Sequence, residues 1–372
     1  ASWRYVFVAE TLIMMFVLLV TNKIADKPIT KKQKLDIPSA VLSASGLGIL
    51  VFGILQSKVW GWVTPKAIPS INGHEIAPFG ISIVAYLILA GVVILAIFYS
   101  RQNSLKAKKK QPLLDTALLQ IKTLRSGLAV LLSQYLIIAA VFFVIPVYLQ
   151  VNLGYDALKT GLKILPLSIA LILFSVIGMR LANKLTARRI VRIGQIGLVI
   201  GSLILMGSIN VEMKGALFAS GMFVLGAGLG LLASQLGNIN MSSVDESKTT
   251  EVGGLQGTFQ NLGSALGTAL IGSVFIAALG SGFVTGINHS TVSNQVKDSV
   301  NANSSTSLQI VSASQAEDIA TSKGLSEQDA ADVSKIYNDS QLEALQEAMF
   351  FLAVVALFSI ILSKNLPNKR FS

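Results

Sequence analysis

Residues 126–149 read SGLAVLLSQYLIIAAVFFVIPVYL, an unbroken stretch without one charged side chain. A bilayer hydrocarbon core of about 30 Å takes about 20 predominantly apolar residues in a helix, so this stretch is long enough to cross it. It has company on both sides. Runs of similar character cover residues 3–20, 37–56, 78–99, 159–181, 190–209, 215–237, 253–279 and 346–363, which makes nine in all. Nine such helices cannot share one soluble core, so the fold class is an all-α membrane protein with nine transmembrane helices. The composition agrees: 52% of the 372 residues are apolar, 13% are charged and the mean hydropathy is +0.65, against about 25% charged in soluble domains.

The charge distribution sets an expected orientation. Lys and Arg collect in cytoplasmic loops, and an odd number of spans puts the two ends on opposite sides. With residue 1 outside, the inside segments hold Lys23, Lys27, Lys31, Lys32 and Lys34, then Arg101, Lys106, Lys108, Lys109, Lys110, Lys122 and Arg125. Further along they hold Arg180, Lys184, Arg188, Arg189 and Arg192, then Lys248, and finally Lys364, Lys369 and Arg370. That is 21 of the 30 basic residues inside and 9 outside, so the N-terminus is expected outside and the C-terminus in the cytoplasm. The net charge of +11 is thereby spread over short loops. Nucleic-acid binding, which needs a basic stripe with interleaved aromatics, is not expected. The densest cluster, Lys106 with Lys108 to Lys110, reads either as a topological anchor or as a contact for anionic headgroups.

Several chemistries are excluded. There is no cysteine, so thiolate metal sites and thiol nucleophiles are absent. His74 and His289 stand far apart, whereas zinc needs three or four converging ligands. No histidine lies in a span to complete a Ser/His/Asp triad, and Gly226, Gly228 and Gly230 sit inside an apolar run with no strand before them, so they are not a dinucleotide fingerprint. No enzyme, metal or organic cofactor is expected.

Two connections are long. Residues 100–125 form a basic linker with Pro112, after which Leu113 to Leu124 could lie amphipathically on the membrane surface. Residues 280–345 form an outer loop rich in Ser, Asn and Thr, with three basic and eight acidic side chains. There Ser326 with Asp329 and Ser340 with Glu343 have capping-box spacing, which predicts a helix start at each. Asn288, Asn303 and Asn338 open sequons, read here as loop composition.

Glu10 is the one acid clearly inside a run, since Glu347 stands at the very start of the last. Glu10 is either a proton or cation carrier or a hydrogen-bonded structural group. Neutral polar groups are commoner: Ser133, Gln134 and Tyr135, then Gln235 and Asn238, then Gln256, Gln260 and Asn261. With Phe142 and Phe143 they suit a cavity for amphipathic molecules, and equally well they suit interhelical hydrogen bonding. Gly226, Gly228 and Gly230, with Gly253, Gly257, Gly263, Gly267 and Gly272, predict close helix packing through small-xxx-small faces.

Taken together, several segments resemble the fourteen-span drug:proton antiporters of the major facilitator superfamily, the EmrB/QacA type. Ser2-Trp3-Arg4 resembles that family's Gly-Trp-Arg at the outer start of its sixth span. Asp36-Ile37-Pro38 with Trp60-Gly61-Trp62 resembles its seventh. Pro146-Val147-Tyr148-Leu149-Gln150, then Gly154, Gly161 and Pro166, resembles the end of the ninth span, its loop and the tenth. The two glycine patterns resemble spans twelve and thirteen. Tyr337 to Leu345 and Leu366-Pro367 resemble the approach to and exit from the last span.

The resemblance implies a partial major facilitator fold lacking about the first five spans. Residues 1–20 would be the last helix of the N-terminal bundle, 21–99 two inter-domain helices, and 100–125 the cytoplasmic linker. Residues 126–363 would be the C-terminal six-helix domain of two inverted repeats, and 364–372 a cytoplasmic tail. Residues 180–189 occupy the place of the family's cytoplasmic gating loop, with Asn183 where an Asp is usual and Thr186 where a Gly is usual. Asn183, Lys184, Arg188 and Arg189 are then gating or helix-capping candidates, or plain cytoplasmic anchors. The implied activity is export of amphipathic drugs across a bacterial plasma membrane, driven by the proton gradient and requiring the missing N-terminal spans. Glu10, Gln134, Tyr135, Phe142, Gln235, Gln256 and Asn261 are its substrate-path candidates. The competing class is a non-transporting scaffold or sensor whose outer loop binds a partner.

Overall fold

The computed structural model describes residues 4–21, 36–66, 68–71, 74–75, 77–110, 112–302 and 310–368. Ser2 and Trp3, Lys23 to Lys34, Asn303, Lys369 and Arg370, all used above, lie outside the described residues. The chain divides into two compact units, residues 1–37 and 38–372.

In the first unit, helix α1 (Arg4–Thr21) corresponds to the run at 3–20. It is 18 residues long, and its described side chains are exposed. Among the described residues eight helices are long and apolar enough to cross a membrane. All eight lie in the second unit, apart from the first residue of the earliest, Ile37.

These are α2 (Ile37–Trp60), α3 (Ile83–Ala107), α4 (Lys122–Pro146), α5 (Ala157–Leu181), α6 (Ala187–Ser208), α7 (Gly215–Met241), α8 (Thr249–His289) and a last helix, Glu327–Leu362. Two short helices precede that last one, α9 (Asn294–Ala302) and α10 (Ala313–Ser322), so it is α11. The fold is all-α, and among the described residues its one strand pairing is a two-residue antiparallel one, Ser70 with Glu75 and Ile71 with His74.

Six of these helices form a bundle with a reciprocal arrangement. Helix α4 packs along α8, α5 packs along α7, and α6 and α11 pack against each other. Exchanging α4, α5 and α6 for α7, α8 and α11 turns the α4–α8 contact into α7–α5, while α6–α7 maps onto the smaller α11–α4 contact and α8–α11 has no comparable counterpart. The sequence supplies the means. A Cβ at Gly263 or Gly267 on α8 would run into the carbonyl oxygen of Leu132 or Leu136 on α4. One at Gly226 or Gly230 on α7 would run into that of Leu167 or Leu171 on α5. In both pairs glycines four apart meet carbonyls four apart, because i and i+4 share a helix face. Gly228 does the same against Gly194 of α6. The close approach does not extend to Gly257, which has nothing within 4 Å, and at Gly253 only Met241 comes near, at 3.8 Å.

The Pro146 motif has a specific job. Proline lacks an N–H and interrupts the helical ladder, and here α4 passes into a π-helical turn over Val147–Asn152. The turn aims Tyr148 inward, fully buried, where its hydroxyl donates to the Asn210 carbonyl at 2.8 Å and accepts from the Asn210 N–H at 3.2 Å. The α6–α7 connection is thereby pinned to the end of α4.

The two long connections differ from expectation. Residues 113–124 do not form one amphipathic helix: Thr116–Gln120 is a 3-10 turn capped by Asp115, and α4 starts at Lys122. At the other end of the bundle, α8 continues ten residues past its expected end at 279, and α11 runs unbroken from Glu327. Ser326 caps α11 by accepting from the Asp329 N–H at 3.1 Å. Ser340, by contrast, is mid-helix, buried and bonded back to the Ile336 carbonyl, so its spacing marked no start. A complete capping box that the reading missed, Ser312 with Gln315, begins α10. Helices α9, α10 and the extended ends of α8 and α11 form a packed cap. Phe283 meets Tyr337 edge-on at 5.7 Å, and Ile287, Val292, Val296, Ala330 and Val333 are buried.

Candidate functional site

The expected path residues separate into groups once their surroundings are known. Gln134 is buried between α4 and α7, with its amide nitrogen 3.5 Å from the Leu229 carbonyl and its oxygen without a partner. Gln235 is buried on α7 and donates to the Gly178 carbonyl of α5 at 3.1 Å. It therefore acts as interhelical glue. On α4 Phe142 is 50% exposed, whereas Tyr135 is half-buried against the hydrophobic core. Phe143 is half-buried, with the Lys58 ammonium 6.0 Å from its ring centre. On α8, Asn261 is exposed, while Gln256 is half-buried with its amide nitrogen enclosed and unpaired. Glu10 is exposed on α1, in the other unit.

Within the second unit these residues do not converge on one enclosed chamber. The α4–α8 register set by Leu132 with Gly263 brings Gln256 level with Arg125, seven residues earlier on each helix. Two cavities, of about 440 Å³ and about 330 Å³, lie instead where α8 and α6 flank the cap-side half of α11. Asp339 and Ser340 line the first, Met206 and Phe350 the second, and Glu343 and Glu347 both. None of the expected path residues lines either.

One strongly polar position was missed. Asn240 on α7 is fully buried, with both amide atoms unpaired, in space that exists because residue 127 of α4 is glycine. A buried polar group costs free energy unless it is hydrogen-bonded, so Gln134, Asn240 and Gln256, like Asn152, Thr160, Gln195 and Ser202, are places in the bundle where a polar partner is wanted. In the sequence Asn240 carries no signal beyond being an amide at the end of an apolar run.

The loop after α5 has a definite structure. Arg188 donates through Nε to the Leu366 carbonyl at 2.7 Å, and its other guanidinium nitrogen reaches the same oxygen. Arg192 donates to Ser363 at 3.1 Å, and the Gln195 amide donates to the Ser359 carbonyl at 2.7 Å. The start of α6 thus satisfies carbonyls at the end of α11, where helix C-termini leave acceptors free and cations are favoured. Asn183, Lys184 and Arg189 are exposed. Ser126 of α4 also donates to α11, at the Leu362 carbonyl.

A second polar centre orders the linker between α3 and α4. Asp115 pairs with Lys106 at 2.7 Å and Lys248 at 3.4 Å, Lys248 pairs with Glu251 at 2.9 Å, and the Asp115 N–H donates to Glu251 at 2.7 Å. The hydrogen bond from Lys106 is the main reason the Asp115 carboxyl sits below its ordinary 3.8, with partial burial opposing it. None of these four groups stood out as a set in the sequence, because they come together only when the linker folds against the α7–α8 turn. Among the described residues no group of three His, Cys, Asp or Glu is placed to hold a metal ion.

Comparison with known proteins gives these elements a family. The sequence pattern of the Major Facilitator Superfamily matches residues 1–268. The chain is 24% identical over 289 residues to the "Probable actinorhodin transporter" of Streptomyces coelicolor, covering 75% of this chain and 46% of that protein. It is 22% identical over 279 residues to the "Multidrug resistance protein Stp" of Mycobacterium tuberculosis, covering 75% and 48%. It is 23% identical over 271 residues to the "Lincomycin resistance protein LmrB" of Listeria innocua, covering 72% and 53%. The chain spans about half the length of these curated relatives. With its pattern matched over residues 1–268 and its all-α, multi-span bundle, the chain belongs to the Major Facilitator Superfamily.

Proposed function

We propose that the protein exports amphipathic drugs or toxic small molecules across a bacterial cytoplasmic membrane, coupled to inward proton flow. In this reading α4 to α8 and α11 are the C-terminal six-helix domain of a fourteen-span antiporter, and α2 and α3 are the pair inserted between its domains. The observation that carries the proposal is the reciprocal α4–α8 and α5–α7 packing, since two such repeats surround the path in transporters of this architecture. Relatives whose names refer to transport and drug resistance add the substrate class. The exposed Phe142 and the half-buried Tyr135 of α4 are the side chains that meet the substrate.

The test is drug accumulation in cells expressing the complete gene, across a chemically broad panel and with a protonophore control. Lower accumulation that the protonophore abolishes is the expected result, and Glu10→Gln should weaken that coupling at equal expression. Unchanged accumulation throughout would instead favour the scaffold reading, for which the folded cap formed by α9, α10 and the extended ends of α8 and α11 is the available surface.

A further inference from the structure

The two helices α2 and α3 look, by sequence, like a tether between domains. Their contacts say otherwise at three heights along one seam. Helix α8 presents Ala265, Ala269, Gly272 and Ser273, small residues spaced four, three and one apart, so they form a shallow strip on one face. Against it α2 and the turn after it lay large residues four apart: Ile54, Lys58 and Trp62. Ile54 is 5% exposed and clusters with Ala265 and Ala269. The Lys58 stem lies against Gly272, and its ammonium stands over the Phe143 ring of α4. The Trp62 indole N–H donates to the Ser273 hydroxyl at 3.3 Å.

At the opposite end of the seam, α3 holds the linker down. Gln102, fully buried, accepts from the Leu113 and Leu114 N–H groups at 2.8 and 3.3 Å and donates to Ser39 of α2 at 2.7 Å. Lys106 then joins the Asp115, Lys248 and Glu251 network, which ends on the first turn of α8. The hairpin itself is interlocked, since a Cβ at Gly91 of α3 would come within 2.9 Å of the Leu50 backbone of α2.

We infer that the α2–α3 hairpin is a fixed buttress of the six-helix bundle, seated permanently on α8, and moves with that bundle as one body. Helix α8 is then held on two faces, by α4 through Gly263 and Gly267 and by α2 through the Ala265-to-Ser273 strip. The substrate route cannot open between α8 and α2. The docking stands on these contacts alone, and only its consequence for the transport cycle rests on the proposed export activity.

The chain has no cysteine, which makes the test clean. A Cβ built at Gly272 lies 3.9 Å from the Lys58 Cβ, within the range of about 3.5 to 4.5 Å that a disulfide spans. Lys58→Cys with Gly272→Cys, in the intact protein in its membrane, should form a disulfide at the same rate with or without a proton gradient and with or without ethidium. If cells expressing the parent exclude ethidium, the bridged form should do so with less than about twofold loss of rate, because a bond inside one rigid body blocks no step of a domain motion. A bridged form that stalls and recovers on reduction would overturn the inference. As a second pair, Trp62→Cys with Ser273→Cys bridged by a short bifunctional thiol reagent serves if the first is poorly expressed. Absence of bridging in an expressed pair would also overturn it. A parent that exports nothing would instead sink the export reading, while the bridging rate, which needs no transport, would still decide whether the hairpin stays docked.

Discussion

At position 267 a side chain has nowhere to go, because the Leu136 carbonyl of α4 occupies the place of its Cβ. At position 257 of the same helix nothing lies within 4 Å. Gly267→Leu should therefore lower the thermal unfolding midpoint in detergent, by the ~1–3 kcal/mol typical of overpacked sites. Gly257→Ala should be neutral or stabilising by up to about 1 kcal/mol, since alanine is the better helix former. Circular dichroism melts of the two variants check both signs. In the sequence the two glycines look alike: each is a small residue in an apolar helix, and only the neighbouring helix distinguishes them. The same holds for the amides. Gln235 and Asn261 read equally well as path residues, yet one is bonded to the Gly178 carbonyl and the other is exposed.

At the level of elements, the linker shows how a loop gains a structure from charges supplied elsewhere. Asp115 caps the turn Thr116–Gln120 through the Ala117 N–H and receives Lys106 and Lys248. Its carboxyl pKa is lower in the folded protein than the 3.8 of a free side chain, chiefly through the Lys106 hydrogen bond. A lowered carboxyl pKa contributes stability that is present above the unfolded value and is lost as pH falls through the folded one. Hydrogen exchange over residues 112–121, corrected for its intrinsic pH dependence, should show protection that is level through neutral pH and declines below about pH 4. Asp115→Asn should reduce that protection at pH 7 and remove the acid decline. A wild-type decline centred near neutral pH would point to a different group.

For the whole molecule, orientation is the property that no internal contact decides. The 21 to 9 division of Lys and Arg expects the α3–α4 linker in the cytoplasm and the cap formed with α9 and α10 outside. Ser104, at the end of α3, and Ser322, at the end of α10, are both exposed. In intact cells a cysteine at Ser322 should react with an impermeant thiol reagent, and one at Ser104 should react only after permeabilisation. Labelling in the reverse sense would invert the topology. The folded cap makes this measurement meaningful, since it is a helical body continuous with α8 and α11 and not a free loop.

What the sequence determined by itself depends on one segment at a time. The apolar runs located all eight helices long enough to cross, because bilayer thickness acts on each run alone. The Ser326 cap was also local, acting through a neighbour three residues on; the interruption at Pro146 was not read, although its cause lies in its own helix. Tertiary structure alone decided which faces met. It carried α8 and α11 past the membrane into a cap, because Phe283 and Tyr337 pack together there. It turned Gln235 into glue, left Asn240 buried without a partner, and seated α2 on the small-residue strip of α8. Those outcomes turn on ångström-scale distances between helices far apart in the chain. Composition and periodicity, which report on one helix at a time, do not carry that information.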